Sequence, residues 1–174
     1  MKKIIVVYGL IAGLIVSTVM VVSTGMYCNN PNANMTQGMI YGFTAMIVAF
    51  SMAFVGIWNF RNKQNAGVIS FGKAFQIGIL IVLVASTIYV LTWEIDYHLF
   101  FPDFGDKYAV KMIEAAKAKG VTAIELAKTT TEMNNFKVQY KNPLYRIFMT
   151  YVEILPLGIV ITLISALILK KKKA

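Results

Sequence analysis

Residues 75–93 read FQIGILIVLVASTIYVLTW, a run without a single charged side chain. A helix of this length rises about 1.5 Å per residue and so nearly crosses the ~30 Å hydrocarbon core of a bilayer. Three further runs are almost as apolar, at residues 4–26, 38–58 and 144–169. Only the last of them carries charge, as Arg146 near its start and Glu153 farther in. The sequence therefore predicts an all-α fold, a four-transmembrane-helix bundle.

The composition agrees with a membrane protein. The chain of 174 residues is 57% hydrophobic and only 14% charged, with a mean hydropathy of +0.64. Soluble domains carry about a quarter charged residues, so a soluble fold is excluded. The first run has 23 residues, more than the ~7–15 of a signal peptide core, and is predicted to be a retained span. Cys28 is the only cysteine, which excludes an internal disulfide. We expect a single membrane domain over residues 1–174.

The net charge of +9 predicts how the chain is threaded through the membrane. The basic and acidic residues between positions 94 and 153 cancel, so the surplus belongs to nine other basic residues: Lys2, Lys3, Arg61, Lys63, Lys73, Lys170, Lys171, Lys172 and Lys173. They occupy the N-terminus, the turn between the second and third spans, and the C-terminus, which four spans place on one side. Basic residues favour the cytoplasmic side, so both termini are predicted to be cytoplasmic in a bacterial inner membrane.

The same lysines indicate what the protein contacts. Lys73 and the C-terminal lysines, Lys170, Lys171, Lys172 and Lys173, are candidates for binding anionic lipid headgroups. Nucleic acid is not expected as a partner, because no aromatic residues are interleaved with the terminal lysines.

Small residues recur at helical spacing in the first two spans and predict close helix packing. In lipid, helices associate where small side chains let their backbones approach. The candidate packing residues are Gly9, Gly13, Gly38, Gly42, Ala49 and Gly56.

The segment between the third and fourth spans, residues 103–140, is predicted to form a periplasmic hairpin of two helices. Apolar residues in its first half recur every four positions, at Phe104, Tyr108, Met112 and Ala116. Gly120 suits the end of that helix, and Thr122 with Glu125 forms a capping box for the next. The second helix presents Leu126, Met133, Phe136 and Tyr140.

Ionisable residues near the outer ends of the third and fourth spans form the candidate polar or ion site: Glu94, Asp96, His98, Arg146 and Glu153. Helix rise from the basic residues at the cytoplasmic side places Glu94 and Glu153 in one layer near the outer leaflet. Pro156 cannot donate its backbone hydrogen bond and is expected to kink the fourth span beside Glu153.

Three interpretations of these residues stay open. They could anchor helix ends and form ion pairs such as Glu153 with Arg146, act as a proton or ligand site, or bind a metal. Two carboxylates and one histidine provide too few strong ligands for a zinc site, so neither a metal nor a cofactor is expected. The sequence contains no Gly-x-Ser-x-Gly elbow, Walker loop, His-Glu-x-x-His or Cys-x-x-Cys pattern, which disfavours an enzyme.

Several motifs together resemble a known family. They are Tyr8-Gly9-Leu10 with Gly13, residues 67–75 (GVISFGKAF), residues 101–104 (FPDF), residues 140–143 (YKNP), and Glu153 with Pro156. In these the chain resembles domain-of-unknown-function family 4199, small membrane proteins of Bacteroidetes-type bacteria. The resemblance implies a four-span inner-membrane protein with an external helical insert, and it brings no activity.

The sequence thus favours an integral inner-membrane protein that acts by association through its external hairpin, with a second copy or another membrane protein as partner. One alternative is a small proton- or ion-coupled transporter subunit that uses Glu153, Glu94 and His98. The other is a membrane enzyme that modifies lipids of the outer leaflet.

Overall fold

The computed structural model describes residues 1–29 and 35–172, and for residues 27–29, 35–37 and 39 it describes the backbone alone. The Cys28 thiol, residues 30–34 between the first two spans, and Lys173 therefore lie outside what is described. Six helices make up the described chain: α1 (Lys2–Asn29), α2 (Met35–Gln64), α3 (Phe71–Leu99), α4 (Phe104–Ala118), α5 (Ala123–Tyr140) and α6 (Pro143–Leu169). The described residues form no β-strand, only an isolated bridge, so the fold is all-α.

Four of the helices are long and apolar enough to cross a membrane. These stretches are Lys2–Met26, Ile40–Gln64, Phe71–Leu99 and Pro143–Leu169. The helices extend beyond the apolar runs of the sequence, because polar residues at their ends continue the same backbone hydrogen bonding. Ser70 directly precedes α3 and caps its N-terminus, since its hydroxyl accepts a hydrogen bond from the Lys73 N–H at 3.3 Å.

The chain divides into two compact units. Unit 1 comprises Met1–Trp93 and Tyr151–Ala174, and unit 2 comprises Glu94–Thr150. Unit 1 therefore contains α1, α2 and most of α3 and α6. Unit 2 contains the last residues of α3, the helices α4 and α5, and the start of α6.

Glycines let the helices of unit 1 approach one another closely. A Cβ atom at Gly9 would lie 2.6 Å from the Val84 Cβ, and one at Gly13 would lie 2.6 Å from the Ile88 Cδ1. A Cβ at Gly56 would lie 2.5 Å from the Ile81 Cδ1. At Gly9 and Gly13 the added atom would also meet the Cβ of Val84 or Ile88, which cannot move without its helix, so α1 and α3 depend on glycine there. At Gly56 the near atom is the end of the Ile81 side chain, which can shift more easily. Ala49, from the same small-residue pattern, is completely buried.

The structure also distinguishes glycines that the spacing pattern treats as equal. Among the described residues, no atom lies within 4 Å of a Cβ built at Gly38 or Gly42. Two glycines outside the pattern do make close contacts. A Cβ at Gly78 would lie 2.7 Å from the Thr162 Cγ2, and one at Gly158 would collide with Val82.

Hydrogen bonds gather the three basic segments at one end of unit 1. The N-terminal amine donates to the Gln64 Oε1 at 2.9 Å, and Ile69 and Lys171 exchange two backbone hydrogen bonds of 2.9 and 2.8 Å. The Arg61 side chain donates to the Leu169 carbonyl, at the end of α6, over 3.2 Å. The N-terminus, the turn after α2 and the end of α6 therefore lie together, which is the arrangement that the charge pattern predicts.

In unit 2, helices α4 and α5 pack against each other as a hairpin. The rings of Tyr108 and Phe136 lie 5.5 Å apart, and those of Phe104 and Tyr140 lie 5.9 Å apart. Gly105 is buried against the Tyr140 ring. All four aromatic residues belong to the apolar stripes of the sequence, so the stripes are the faces through which the two helices meet.

The turn of the hairpin has the predicted chemistry. Gly120 adopts a left-handed φ of +67°, and Thr122 and Glu125 form the capping box in both directions.

We expect Thr122→Ala to lower the free energy of unfolding by about 1 kcal/mol, because the first N–H groups of α5 lose their acceptor. Hydrogen exchange of the first-turn amides of α5 in the full chain measures the effect. Thr131→Ala is the matched control, since its exposed hydroxyl bonds only the Ala127 carbonyl of its own helix. Equal exchange in both variants would contradict the cap.

Candidate functional site

The candidate site is built around Arg146, one turn into α6. That helix begins at Pro143, where the missing N–H of proline costs nothing, and the Asn142 side chain accepts a hydrogen bond from the Leu144 N–H at 2.9 Å. Arg146 is 0% exposed, although arginine is among the residues least often buried. A buried guanidinium requires a counter-ion and several hydrogen-bond acceptors, and unit 2 supplies both.

Glu94, near the end of α3, is the counter-ion. The Arg146 Nε donates to the Glu94 Oε1 at 2.8 Å, and the Arg146 Nη2 donates to the Glu94 Oε2 at 2.6 Å. This two-point geometry is the strongest form of an arginine–carboxylate pair. The Glu94 side chain is only 16% exposed, so water screens the pair weakly.

Other groups of unit 2 complete the surroundings of the guanidinium. The Arg146 Nη1 donates to the carbonyl of Tyr140, which is the last residue of α5, at 3.1 Å. The Arg146 Cζ lies 3.7 Å from the centre of the Tyr97 ring, in a cation–π contact. Arg146 thereby joins the end of α3, the end of α5 and the start of α6. Because Glu94 and Arg146 stand close to the two ends of unit 2, their ion pair closes its base.

His98 lies at the edge of this cluster. Its Nε2 is 3.3 Å from the Arg146 Nη2 and 3.9 Å from the Glu94 Oε2, and its side chain is 64% exposed. The predicted i, i+4 relation of Glu94 and His98 on one helix face is therefore seen in the structure. Because a guanidinium can only donate, the Nε2 can take part in a hydrogen bond with Arg146 only as the acceptor.

Asp96 does not take part in the cluster. It follows Glu94 by two residues, which on a helix turns its side chain to another face. Asp96 is 5% exposed, and its Oδ2 finds no hydrogen-bond partner within the described residues. Its backbone carbonyl accepts from the N–H groups of Phe100 and Phe101 and so ends α3.

Glu153 belongs to unit 1 and is exposed there. The sequence suggested an ion pair between Glu153 and Arg146, but Arg146 pairs with Glu94 instead. Seven residues separate Glu153 from Arg146 along α6, about 10 Å of rise, whereas the facing helix end brings Glu94 into direct contact. Helix α6 continues through Pro156 to Leu169, and the predicted kink stays a prediction.

The cluster is suited to holding helices together rather than to binding a metal. Within residues 1–29 and 35–172, no three His, Cys, Asp or Glu side chains come together in a way that could hold a metal ion. Glu94 already gives both oxygens to Arg146, and the pair is neutral as a whole. The arrangement can fix the base of unit 2 and leave one histidine at its edge.

Sequence analysis named Glu94, His98 and Arg146 but missed the two tyrosines that complete the cluster. The sequence pattern marks Tyr140 only through its ring, on the apolar face of the hairpin, and not through its carbonyl. A usable signal was the arginine itself, because a guanidinium at the start of an apolar run needs acceptors and an aromatic face nearby.

The fold and the cluster define the class of the protein: an all-α protein with four helices apolar enough to span a membrane and a helical hairpin closed at its base by a buried ion pair. The chain matches the family described as "Protein of unknown function (DUF4199)" over residues 7–171. Since the match covers nearly the whole chain, the protein belongs to this family, as its motifs indicate. No curated protein and no solved structure matches the chain.

Proposed function

We propose that this is an integral protein of the bacterial inner membrane, with both termini in the cytoplasm and the α4–α5 hairpin in the periplasm. Four apolar helices support the membrane location. The gathering of the N-terminus, the α2–α3 turn and the end of α6 supports the orientation, because these segments carry the whole surplus of basic charge. Anionic headgroups on that side would complement the lysines.

We further propose that the protein acts by association, and that α5 carries the contact surface. Ile124 is 83% exposed and Val138 is 74% exposed, whereas the α5 residues that meet α4 are Phe136 and Tyr140. Ile124 and Val138 are fourteen residues apart, four turns of helix, and so share one face. Apolar side chains that the hairpin does not bury are the observation that carries this proposal. The partner would be a second copy of the chain or another membrane protein.

The transporter alternative has less support. A proton or ion relay through Glu94 needs a carboxylate that is free to exchange its ligand, and both Glu94 oxygens accept hydrogen bonds from Arg146. Breaking that pair would leave a buried guanidinium without a counter-ion. No observation favours the lipid-modifying enzyme over association.

Site-specific photocrosslinking in cells tests the association. A photoreactive residue at Ile124 or Val138 is expected to give a discrete crosslinked product, because a partner covers this face. The matched control is the same residue at Glu114, an exposed position on α4. A phosphatase fused at Gly120 should be active, since the hairpin is placed in the periplasm. No product at Ile124 and Val138, or equal products at Glu114, would refute the proposed surface.

A further inference from the structure

A shallow groove of about 340 Å³ runs between α1 and α3 in unit 1. Its walls are apolar, with Ile5 and Leu10 on α1 and Leu80, Leu83 and Val84 on α3. Leu10 is 45% exposed and Leu83 is 40% exposed, so the groove is open to the surroundings of the helices. In a membrane those surroundings are lipid chains, and a groove of this shape and chemistry fits an acyl chain.

Each wall of the groove carries a lysine toward the same end. On α1, Lys3 precedes Leu10 by seven residues, and on α3, Lys73 precedes Leu80 by seven residues. Two helical turns place each lysine on the face of the leucine that follows it, about 10 Å along the axis. Both helices begin at the end of unit 1 where the basic segments gather. An apolar groove thus leads to a pair of cations.

The local charge favours an anion at this end. Unit 1 contains nine basic side chains and one acidic side chain, Glu153. Glu153 precedes Lys170 by 17 residues along α6, about 25 Å of helix, so it lies far from the basic end. Lys73 stands in the first turn of α3, where the helix dipole also attracts negative charge. The Lys73 ammonium is held by the Gln76 Oε1 at 3.2 Å, on the groove face of α3.

We propose that this groove is a binding site for one anionic phospholipid, with an acyl chain between α1 and α3 and the phosphate between Lys3 and Lys73. The proposal rests on the proposed membrane location, and it adds a defined site to the general attraction between lysines and anionic lipid. The groove supplies affinity for the chain, while the lysines supply the preference for a negative headgroup.

Native mass spectrometry of the full chain in detergent tests the site. We expect phosphatidylglycerol to bind at least fivefold more tightly than phosphatidylcholine with the same chains. The double variant Lys3→Gln/Lys73→Gln should lower phosphatidylglycerol affinity about tenfold and remove the preference. Leu83→Trp should weaken both lipids, because the indole fills the groove, and Leu10→Trp tests the same from the other wall if the first variant does not fold.

Matched controls separate the site from general electrostatics. Lys119→Gln/Lys141→Gln removes two exposed charges from unit 2 and should change affinity less than twofold. Inorganic phosphate alone should neither bind nor compete, since it lacks the chain. Unchanged binding in the Lys3/Lys73 variant, or in both tryptophan variants, would overturn the proposal. A protein that stays dissolved without detergent would instead refute the membrane location on which it rests.

Discussion

Replacing Glu94 by alanine is expected to lower the free energy of unfolding by about 3–5 kcal/mol, the cost of removing one partner from a buried ion pair. Arg146 has no exposed surface, so water cannot replace the carboxylate that accepts two of its hydrogen bonds. The neighbours that remain for the guanidinium, the Tyr140 carbonyl and the His98 ring, carry no negative charge. Unfolding of the full chain in detergent micelles, followed by circular dichroism, measures the loss.

Two further variants show whether the effect belongs to the ion pair. His98→Ala removes a neighbour of the same guanidinium, but His98 is mostly exposed and should contribute less than about 1 kcal/mol. The double variant Glu94→Leu/Arg146→Met should recover much of the stability, because two apolar side chains leave no buried charge unpaired. If Glu94→Ala and His98→Ala have equal effects, Arg146 is not held as described.

Replacing Gly9 by leucine is expected to destabilise unit 1 by about 1–3 kcal/mol or to prevent its assembly, as overpacking does in a dense core. The first added atom alone would lie 2.6 Å from the Val84 Cβ, an atom fixed directly to the α3 backbone. Helices α1 and α3 would have to move apart, and the contact at Gly13 would then be lost together with the contact at Gly9. Resistance of the full chain to unfolding in detergent reports the change.

Gly42→Leu provides the comparison, because the sequence pattern gives Gly42 the same role as Gly9. Among the described residues, no atom lies within 4 Å of a Cβ at Gly42, so the first added atom meets no close neighbour there. We expect its stability to stay within about 0.5 kcal/mol of the original protein. Equal losses at Gly9 and Gly42 would contradict close packing as the property that distinguishes Gly9, because leucine favours a helix more than glycine does at both positions.

These glycines show how far periodicity reaches. Spacing by three and four identifies which small residues share a helix face, and Gly9, Gly13 and Gly56 do meet a neighbouring helix. It cannot tell where along that face the neighbour crosses. Gly78 and Gly158 lie at crossing points without belonging to a regular stripe, because a single close approach needs only one glycine.

The candidate site shows the same division. Residue type and helix rise predict that Glu94 and Glu153 occupy one layer, whereas the structure brings Glu94 together with His98 and Arg146. Which carboxylate pairs with Arg146 depends on how α3 and α6 are each rotated about their own axes. Arg146 pairs with Glu94 because the end of α3 faces it, and the sequence gives no measure of that rotation.

The sequence by itself determined that the chain is a set of four apolar helices with a capped helical hairpin, and it determined which segments carry the surplus of positive charge. These properties follow from local chemistry: side-chain polarity, helix period, capping and glycine at the turn. Only the tertiary structure decided that Arg146 is fully buried against Tyr97 and Glu94, that some glycines and not others lie at helix crossings, and that an apolar groove lies between α1 and α3. Such features depend on the rotation and spacing of helices distant in sequence, which short-range patterns do not encode.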